Sequence, residues 1–435
     1  MKSLSCNRDN FILKTSFVSR FLKVQPRSAL VLIDQTFVSA VNFLTGLLLA
    51  RFLGIKGYGT YLLVYGVVLF FSGLHMSLIV SPMMIKGPSL SHDDKKTYYR
   101  VIVFWQTLFC IISGLLCVIA GKMIAVIMPE FGINIFLLPL TVAIIFFLTQ
   151  DFIRRYFFVN ERLLDVLIND FIRYGLQLFL IFFFGLRCQL DIQLTLWIIA
   201  STALCATVFA GLQLLKTRVF IFPSFQDILE IGRYHWDFGK WLLSQNMAYW
   251  MGTQLIIYMT GAILSVTAVG AMGAMRNLVG LTNIFFLSLQ NIVPSRASLV
   301  FSNKGINALN KYLQKISIIG GSLTFLIIVV PLINSEFWVR LVYGTQYQGY
   351  GWIVKWWGVY FLIGFFHRPF SFGLQVLSNT RAIFFAFLAG SIVSITMTYP
   401  LLHWAGLTGG MLAACLVQIA ILAVLTKSYF KVSSD

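Results

Sequence analysis

Twelve apolar stretches limit what this chain can fold into. They lie near 29–53, 60–85, 99–121, 133–157, 166–186, 193–215, 240–264, 268–294, 315–334, 352–378, 382–402 and 406–426. Each can cross the ~30 Å hydrocarbon core of a bilayer as a helix, and each is too long and unbroken for a barrel strand. The sequence therefore predicts an all-α polytopic membrane protein with about 12 transmembrane helices.

The charged residues support this class and orient the chain. Only 11% of the residues are charged, against roughly 25% in a soluble domain. All but seven of the 33 Lys and Arg fall on the tails, alternate loops and adjoining helix ends of one side. The exceptions are Arg51, Lys56, Lys122, Arg187, Arg276, Arg340 and Lys355. This positive-inside bias predicts two cytoplasmic termini, and it explains the net charge of +18 without a nucleic-acid partner.

No pattern in the sequence points to a cofactor, a metal or an enzyme. The six cysteines form no Cys-x-x-Cys pair and mostly sit inside apolar runs, which is typical of small core residues. No Gly-rich nucleotide loop, metal-ligand cluster or nucleophile triad is visible. A membrane-embedded polymerase or glycosyltransferase would need catalytic groups in a sizeable outer loop, and the outer loops are short.

The second half of the chain weakly resembles the first half in sequence, at an offset of about 211 residues. Aligning the halves pairs Leu53 with Leu264 and Gly59 with Gly270, and a later segment pairs Arg154 with His367. Such a parallel repeat predicts two six-helix lobes related by a pseudo-twofold axis along the membrane normal, with a cavity where they meet. The predicted units are a basic interfacial tail (1–28), an N-lobe (29–215), a cytoplasmic linker (216–239), a C-lobe (240–426) and a tail (427–435).

Polar residues recur on one face of several predicted helices. The first helix carries Gln35, Ser39, Asn42 and Gly46, and the eighth carries Arg276, Gly280, Asn283 and Gln290. These spacings place each set on one face of an α-helix. The repeat pairs Tyr65 with Arg276 and Ser72 with Asn283, so the second and eighth helices present polar faces in the same phase. Neutral residues at such spacings can also act only as helix-packing contacts.

Arg276 is the strongest candidate for binding an anion. It lies about two turns in from the outer end of its predicted helix, and no acid shares that helix. An ionised side chain at the bilayer centre costs about 2.5 to 3.5 kcal/mol on insertion scales, so it usually faces a protein interior or a wet cavity. A guanidinium offers forked donors that suit phosphate.

Three other charged or titratable positions have two readings each. Asp34 lies about one turn from the predicted cytoplasmic end, where a structural ion pair or snorkelling is an alternative to a coupling role. Asp170 and Arg173 are expected to pair locally at i, i+3, which leaves a substrate contact for Arg173 open. His75 is either a satisfied interior histidine or a functional site.

Two segments carry a resemblance to a known family. "DQTFVSAVNFLTGLLLARFLGIKGYGTY" (34–61) and "DFIRRYFFVNERLLDVLINDFIRYGLQ" (151–177) resemble the polysaccharide transporter branch of the multidrug/oligosaccharidyl-lipid/polysaccharide exporter superfamily, as in O-antigen flippases of the Wzx type. The resemblance covers essentially the whole chain and is strongest over 30–85 and 145–185. It consists of patterns rather than invariant signatures.

The resemblance implies a function and a set of site residues. It implies a bacterial inner-membrane flippase that moves an undecaprenyl-diphosphate-linked oligosaccharide, the repeat unit of O-antigen or a similar surface polysaccharide, to the outer leaflet by alternating access. A polysaccharide polymerase and a chain-length regulator are its expected partners. The predicted substrate-binding residues are Arg276, Asn42, Asn283, His75, Gln290 and Arg173, with Asp34 as a coupling or gating residue.

A cation-coupled multidrug exporter of the same superfamily is the alternative function. Such an antiporter needs a protein carboxylate as a cation relay, and Asp34 is the plausible candidate. The predicted helices of the second half contain no acids, which puts proton or sodium coupling through that half in doubt.

Overall fold

The computed structural model describes residues 26–127, 129, 132–214 and 222–434, and these residues form helices and short connections without a strand. Seven helices in this part of the chain are long and apolar enough to cross a membrane. Three of them are broken at a glycine, and the more polar helices Phe225–Ile263 and Trp352–Val376 add two further spans. Within the described residues the chain therefore makes twelve spans, as predicted.

We number the spans α1 to α12. They are α1 (26–53), α2 (55–86), α3 (His92–Ile127), α4 (Asn134–Val159), α5 (163–186), α6 (Ile192–Leu214), α7 (Phe225–Ile263), α8 (266–304), α9 (306–332), α10 (Trp352–Val376), α11 (380–405) and α12 (407–434). Spans α1 to α6 form the N-lobe and α7 to α12 the C-lobe. A short outer helix, Ser335–Tyr343, precedes α10.

The structure moves two boundaries from their predicted places. Helix α7 begins at Phe225, inside the range predicted as a linker, and α12 continues into the predicted tail, within the helix Thr380–Ser434. The predicted interfacial tail lies almost wholly in 1–25, outside the described residues.

Three glycines with positive φ separate spans that follow one another directly. Gly54 (φ 70°) divides α1 from α2, Gly305 (φ 71°) divides α8 from α9, and Gly406 (φ 56°) divides α11 from α12. A side chain is strained in this left-handed region, whereas glycine adopts it readily. Each glycine therefore ends one helix and lets the next begin without a loop.

The lobes meet where α2 crosses α8, at two glycines that the sequence repeat had paired. A Cβ atom on Gly59 would lie 2.0 Å from the carbonyl oxygen of Val266, and one on Gly270 would lie 1.9 Å from the carbonyl oxygen of Ile55. The repeat relates the two contacts to each other by a twofold rotation, since Ile55 corresponds to Val266 as Gly59 corresponds to Gly270. The pseudo-twofold axis therefore passes between Gly59 and Gly270, and the backbones touch there.

The end of the lobe interface where α1 and α7 finish is sealed; we refer to it as the outer side, in line with the positive-inside prediction. The hydroxyl of Tyr347 donates to the carbonyl oxygen of Ala50 at 2.9 Å, and Tyr343 donates to the carbonyl oxygen of Ala274 at 2.8 Å. The side chain of Gln346 lies where a Cβ of Gly54 would be. The segment after α9 thus covers the corner between α1 and α2.

On the inner side the lobes touch through the start of α7. His235 bridges the hydroxyl of Tyr98 at 2.8 Å and the carbonyl oxygen of Leu78 at 3.0 Å. The ammonium of Lys86 lies 4.0 Å from the ring centroid of Tyr234. The outer half of α8, Val266–Leu278, packs extensively on α1 and α2, whereas its inner half packs mainly within the C-lobe. The lobes therefore diverge between the inner halves of α1 and α8, which leaves an inner cleft.

Candidate functional site

The described part of the C-lobe encloses a cavity of about 370 Å³ between α7, α8, α10, α11 and α12. Its volume lies within the usual range of small-molecule sites, roughly 300 to 1,000 Å³. Its lining combines two arginines with amide, hydroxyl and aromatic groups and includes no carboxylate. The polar lining residues are Gln245, Tyr249, Arg276, Asn283, Gln290, Tyr360, His367, Arg368, Ser371, Gln375 and Gln418.

Arg276 lines this cavity and does not face the lipid. Its guanidinium carbon lies 5.4 Å from the ring centroid of Trp357 on α10, and it also borders a second, inter-lobe cavity of about 210 Å³ beside Tyr58 and Asn277. Among the described residues no carboxylate pairs with it. The helical spacing on α8 had predicted this inward orientation.

The inner cleft carries three further predicted residues. Asn283 and Gln290 follow Arg276 along α8 and line the cavity. Asn42, on α1, is exposed. One turn further out on the same face, a Cβ on Gly46 would lie 2.7 Å from the side-chain nitrogen of Asn277 on α8. Asn42 and Asn283 therefore flank the cleft from opposite lobes, just inside the point where α1 and α8 meet.

Four cavity residues on α10 and α12 escaped the sequence reasoning. Arg368 lies with its guanidinium carbon 4.3 Å from the ring centroid of Phe286, and its buried Nε has no hydrogen-bond partner among the described residues. The same holds for Nδ1 of His367 and Oε1 of Gln418. Tyr360 lies within electrostatic range of both Arg276 and Arg368. Arg368 had been counted only as part of the positive-inside bias.

Asp34 does not face the cleft but belongs to a buried ion cluster in the N-lobe. Arg154 on α4 donates through Nη2 to Asp34 at 2.9 Å and through Nε to Asp170. The predicted local pairing of Asp170 with Arg173 is wrong. Between them the helix widens into a π turn, Phe171–Gly175, which has more residues per turn than an α-helix and so turns Arg173 away from Asp170.

Arg173 and His75 are also enclosed within the N-lobe. Arg173 donates to Gln150 and stacks 4.2 Å from the ring centroid of Phe147. His75 is fully buried and hydrogen bonds through Nε2 to Gln106 at 2.5 Å. The structure therefore does not bring these side chains to the cavity that Arg276 lines, and no described contact supports their predicted role in substrate binding.

The two lobes thus differ in their charge balance. In the N-lobe cluster Arg154 pairs with two carboxylates and Arg155 lies 3.6 Å from a third, whereas the C-lobe cavity presents two guanidinium groups to amides, hydroxyls and aromatic rings. A buried cation without a counter-charge is costly, and forked N–H donors bind phosphate or carboxylate oxygens in pairs. Amides and hydroxyls suit the hydroxyl groups of sugars. The cavity is therefore chemically suited to an anion that carries polar groups.

Solved structures share this architecture. An inward-facing multidrug resistance MATE family transporter of the MOP superfamily superposes with a TM-score of 0.74 at 10% identity, covering 91% of this chain and 95% of that one. The lipid II flippase MurJ, in an inward closed conformation, superposes with a TM-score of 0.69 at 15% identity, covering 93% and 90%. The chain has the fold of these transporters. No family model matches the sequence, and no curated protein matches it.

The arrangement of the lobes agrees with the sealed outer side. An outward-facing MATE transporter of the MOP superfamily superposes with a TM-score of 0.58 over 94% of this chain, lower than the 0.74 of the inward-facing structure. Together with the contacts of Tyr343 and Tyr347, this describes a multi-pass membrane protein whose lobes meet at the end where α1 and α7 finish and diverge at the other end.

Proposed function

We propose that this protein is a flippase that moves an undecaprenyl-diphosphate-linked oligosaccharide, such as an O-antigen repeat unit, from the inner to the outer leaflet. The observation that carries the proposal is the cavity of Arg276, which offers positive charge and sugar-compatible donors but no carboxylate among its described lining residues. A diphosphate supplies the missing negative charge, and a glycan supplies hydroxyl groups for the amides.

The cargo also suits the inner cleft. A diphosphate and a glycan cannot cross ~30 Å of hydrocarbon unaided, but the polyprenyl tail can stay in lipid while the headgroup enters between α1 and α8. Rocking of the lobes about the Gly59–Gly270 contact would close the cleft and open the outer side. The cargo biases this equilibrium only if it binds the two states with different affinity.

A deletion strain tests this function. Without the protein, lipid-linked repeat units should accumulate on the inner leaflet and the surface glycan should disappear, because flipping lies between synthesis and polymerisation. The measurement is the leaflet distribution of the lipid-linked intermediate together with surface glycan, in a strain with no second flippase. Unchanged surface glycan would contradict the proposal. A polymerase and a chain-length regulator are the proposed partners, and their surface glycan products provide the readout.

A cation-coupled multidrug exporter is the second candidate. Its support is the buried N-lobe cluster, in which two carboxylates, Asp34 and Asp170, share the one guanidinium of Arg154, so that one carboxylate can take up a proton or another cation. The discriminating measurement is whole-cell drug susceptibility. Increased susceptibility of the deletion strain to cationic drugs, with normal surface glycan, would favour the exporter.

A further inference from the structure

We infer that the C-lobe cavity is a site for one doubly charged anion of the diphosphate class, held by Arg276 and Arg368 together. This inference rests on the proposed function and deepens it, because it names the cargo group that enters the cavity and adds a second arginine to the site. The internal symmetry of the chain relates the cavity to the ion cluster of the N-lobe.

The turns after α4 and α10 fix how the lobes correspond. Glu161 and Ser378 both have a φ of 57°, and the residue after each donates its N–H to a carbonyl five residues back, Arg162 to Phe157 and Asn379 to Leu374, both at 2.9 Å. Glu161 therefore corresponds to Ser378. The sequence alignment, which paired Arg154 with His367, was off by four residues. A slip of about one helical turn preserves the face of a helix, so the pattern of polar residues could not reveal it.

Counting back from these turns, and from the Gly59–Gly270 contact, relates the ion cluster to the cavity. The pairs are Asp34 with Gln245, Asp151 with Arg368, Arg154 with Ser371 and Asp170 with Phe387. All four C-lobe members line the cavity. The cavity and the ion cluster are therefore the same place in the two lobes.

The two places differ in how their charge is compensated. In the N-lobe Asp34 and Asp170 pair with Arg154, and Asp151 pairs with Arg155 at 3.6 Å. In the C-lobe all three carboxylate positions have changed, to an amide, a guanidinium and a phenyl ring. The side chains that fill and neutralise the N-lobe cluster are thus absent from the cavity, and a ligand must supply the negative charge.

The two arginines are placed to share one ligand. Arg276 on α8 and Arg368 on α10 line the same cavity, and Tyr360 is within electrostatic range of both. Since each side chain is long and the cavity is continuous between them, a diphosphate can accept forked donors from both ends.

Binding of inorganic pyrophosphate to the purified full-length protein tests the inference. We expect pyrophosphate to bind at least tenfold more tightly than orthophosphate, and Arg368→Gln to weaken pyrophosphate binding at least tenfold, with Arg368→Lys in between. Gln245→Glu should weaken binding as strongly, because it restores an internal carboxylate where the N-lobe has Asp34. Arg187→Gln, at the outer end of α5, is the control and should bind as the wild type does. Thermal unfolding without ligand shows whether each variant is folded.

The results distinguish a lipid-linked diphosphate from a free one. They also distinguish failure of the anion site from failure of the flippase function. Tighter binding of farnesyl diphosphate than of pyrophosphate would support a lipid-linked cargo, and equal affinities would support recognition of the diphosphate alone. Equal affinities of wild type for pyrophosphate and orthophosphate, or wild-type affinity in folded Gln245→Glu, would overturn the two-arginine site. If pyrophosphate binds as expected while the deletion strain keeps its surface glycan, the anion site stands and the flippase function fails.

Discussion

At the scale of single residues, charge compensation separates structural ions from candidate binding groups. Arg154 is satisfied by two carboxylates, whereas Arg276 stacks on Trp357 and has no described carboxylate partner. A lone sequence shows neither state, because the carboxylate partners of Arg154, Asp34 and Asp170, lie on other helices. The difference arises only from which helices pack around each of them.

Substitution of Arg276 tests whether it contacts a diphosphate. Arg276→Lys should keep part of the surface glycan, because an ammonium supplies a point charge without the fork. Arg276→Ala and Arg276→Gln should keep little, since both remove the charge. The measurement is complementation of the deletion strain at matched membrane abundance. Full activity of the Ala variant would mean that Arg276 does not bind the substrate.

Substitution of Arg154 tests the structural role of the ion cluster. Arg154→Gln leaves Asp34 and Asp170 buried without their cation, and breaking such a pair costs about 3–5 kcal/mol. The purified variant should therefore unfold at a clearly lower temperature. Lys240→Gln is the matched control, because Lys240 pairs with Asp237 at an exposed site where a pair contributes about 1 kcal/mol or less. Equal unfolding temperatures for the two variants would contradict this role.

At the scale of helices, the sequence predicted where the spans lie and which face of each is polar, but it did not predict which helix packs against that face. The period of 3.6 residues placed Arg276, Asn283 and Gln290 on one face of α8, and the structure shows that this face lines the cavity. The same reasoning placed His75 on a polar face of α2, but that part of the face packs against α3 within the N-lobe. Periodicity defines a face and leaves open which helix covers it.

Arg368 shows a second limit of the sequence. The sequence assigns it to the positive-inside bias, although it stands ten residues before the end of its predicted span, 352–378, and the alignment that could have related it to Asp151 slipped by about one turn. Its correspondence to Asp151 became visible only when the turns at Glu161 and Ser378 aligned α4 with α10.

Substitution of Gly59 tests the close contact between α2 and α8. Gly59→Ala would place its Cβ 2.0 Å from the carbonyl oxygen of Val266, so the helices must separate, and overpacking of this kind costs about 1–3 kcal/mol. We expect a lower unfolding temperature and loss of surface glycan at matched abundance. Gly211→Ala, on α6, is the control because no neighbouring atom lies within 4 Å of its added Cβ. Wild-type behaviour of Gly59→Ala would refute the close contact.

At the scale of the whole molecule, apolar length and the repeat were sufficient to predict twelve spans in two lobes. The spans follow from the cost of exposing backbone to hydrocarbon, which acts on every span alike, and the two lobes follow from the repeat. The access state could not be predicted in this way. It depends on contacts such as Tyr347 with Ala50, which join residues far apart in the chain.

Labelling of single cysteines with an impermeant thiol reagent tests both the predicted topology and the sealed outer side. In a background without other cysteines, the native Cys188, exposed at the turn between α5 and α6, should react in intact cells. Lys304→Cys, at the turn between α8 and α9, should react only after permeabilisation, because the positive-inside bias places it in the cytoplasm. Asn283→Cys should behave like Lys304→Cys, since the contacts of Tyr343 and Tyr347 seal the outer side above it. Equal labelling of positions 188 and 304 in intact cells would refute the topology. Labelling of position 283 but not of position 304 in intact cells would refute the sealed outer side and leave the topology standing.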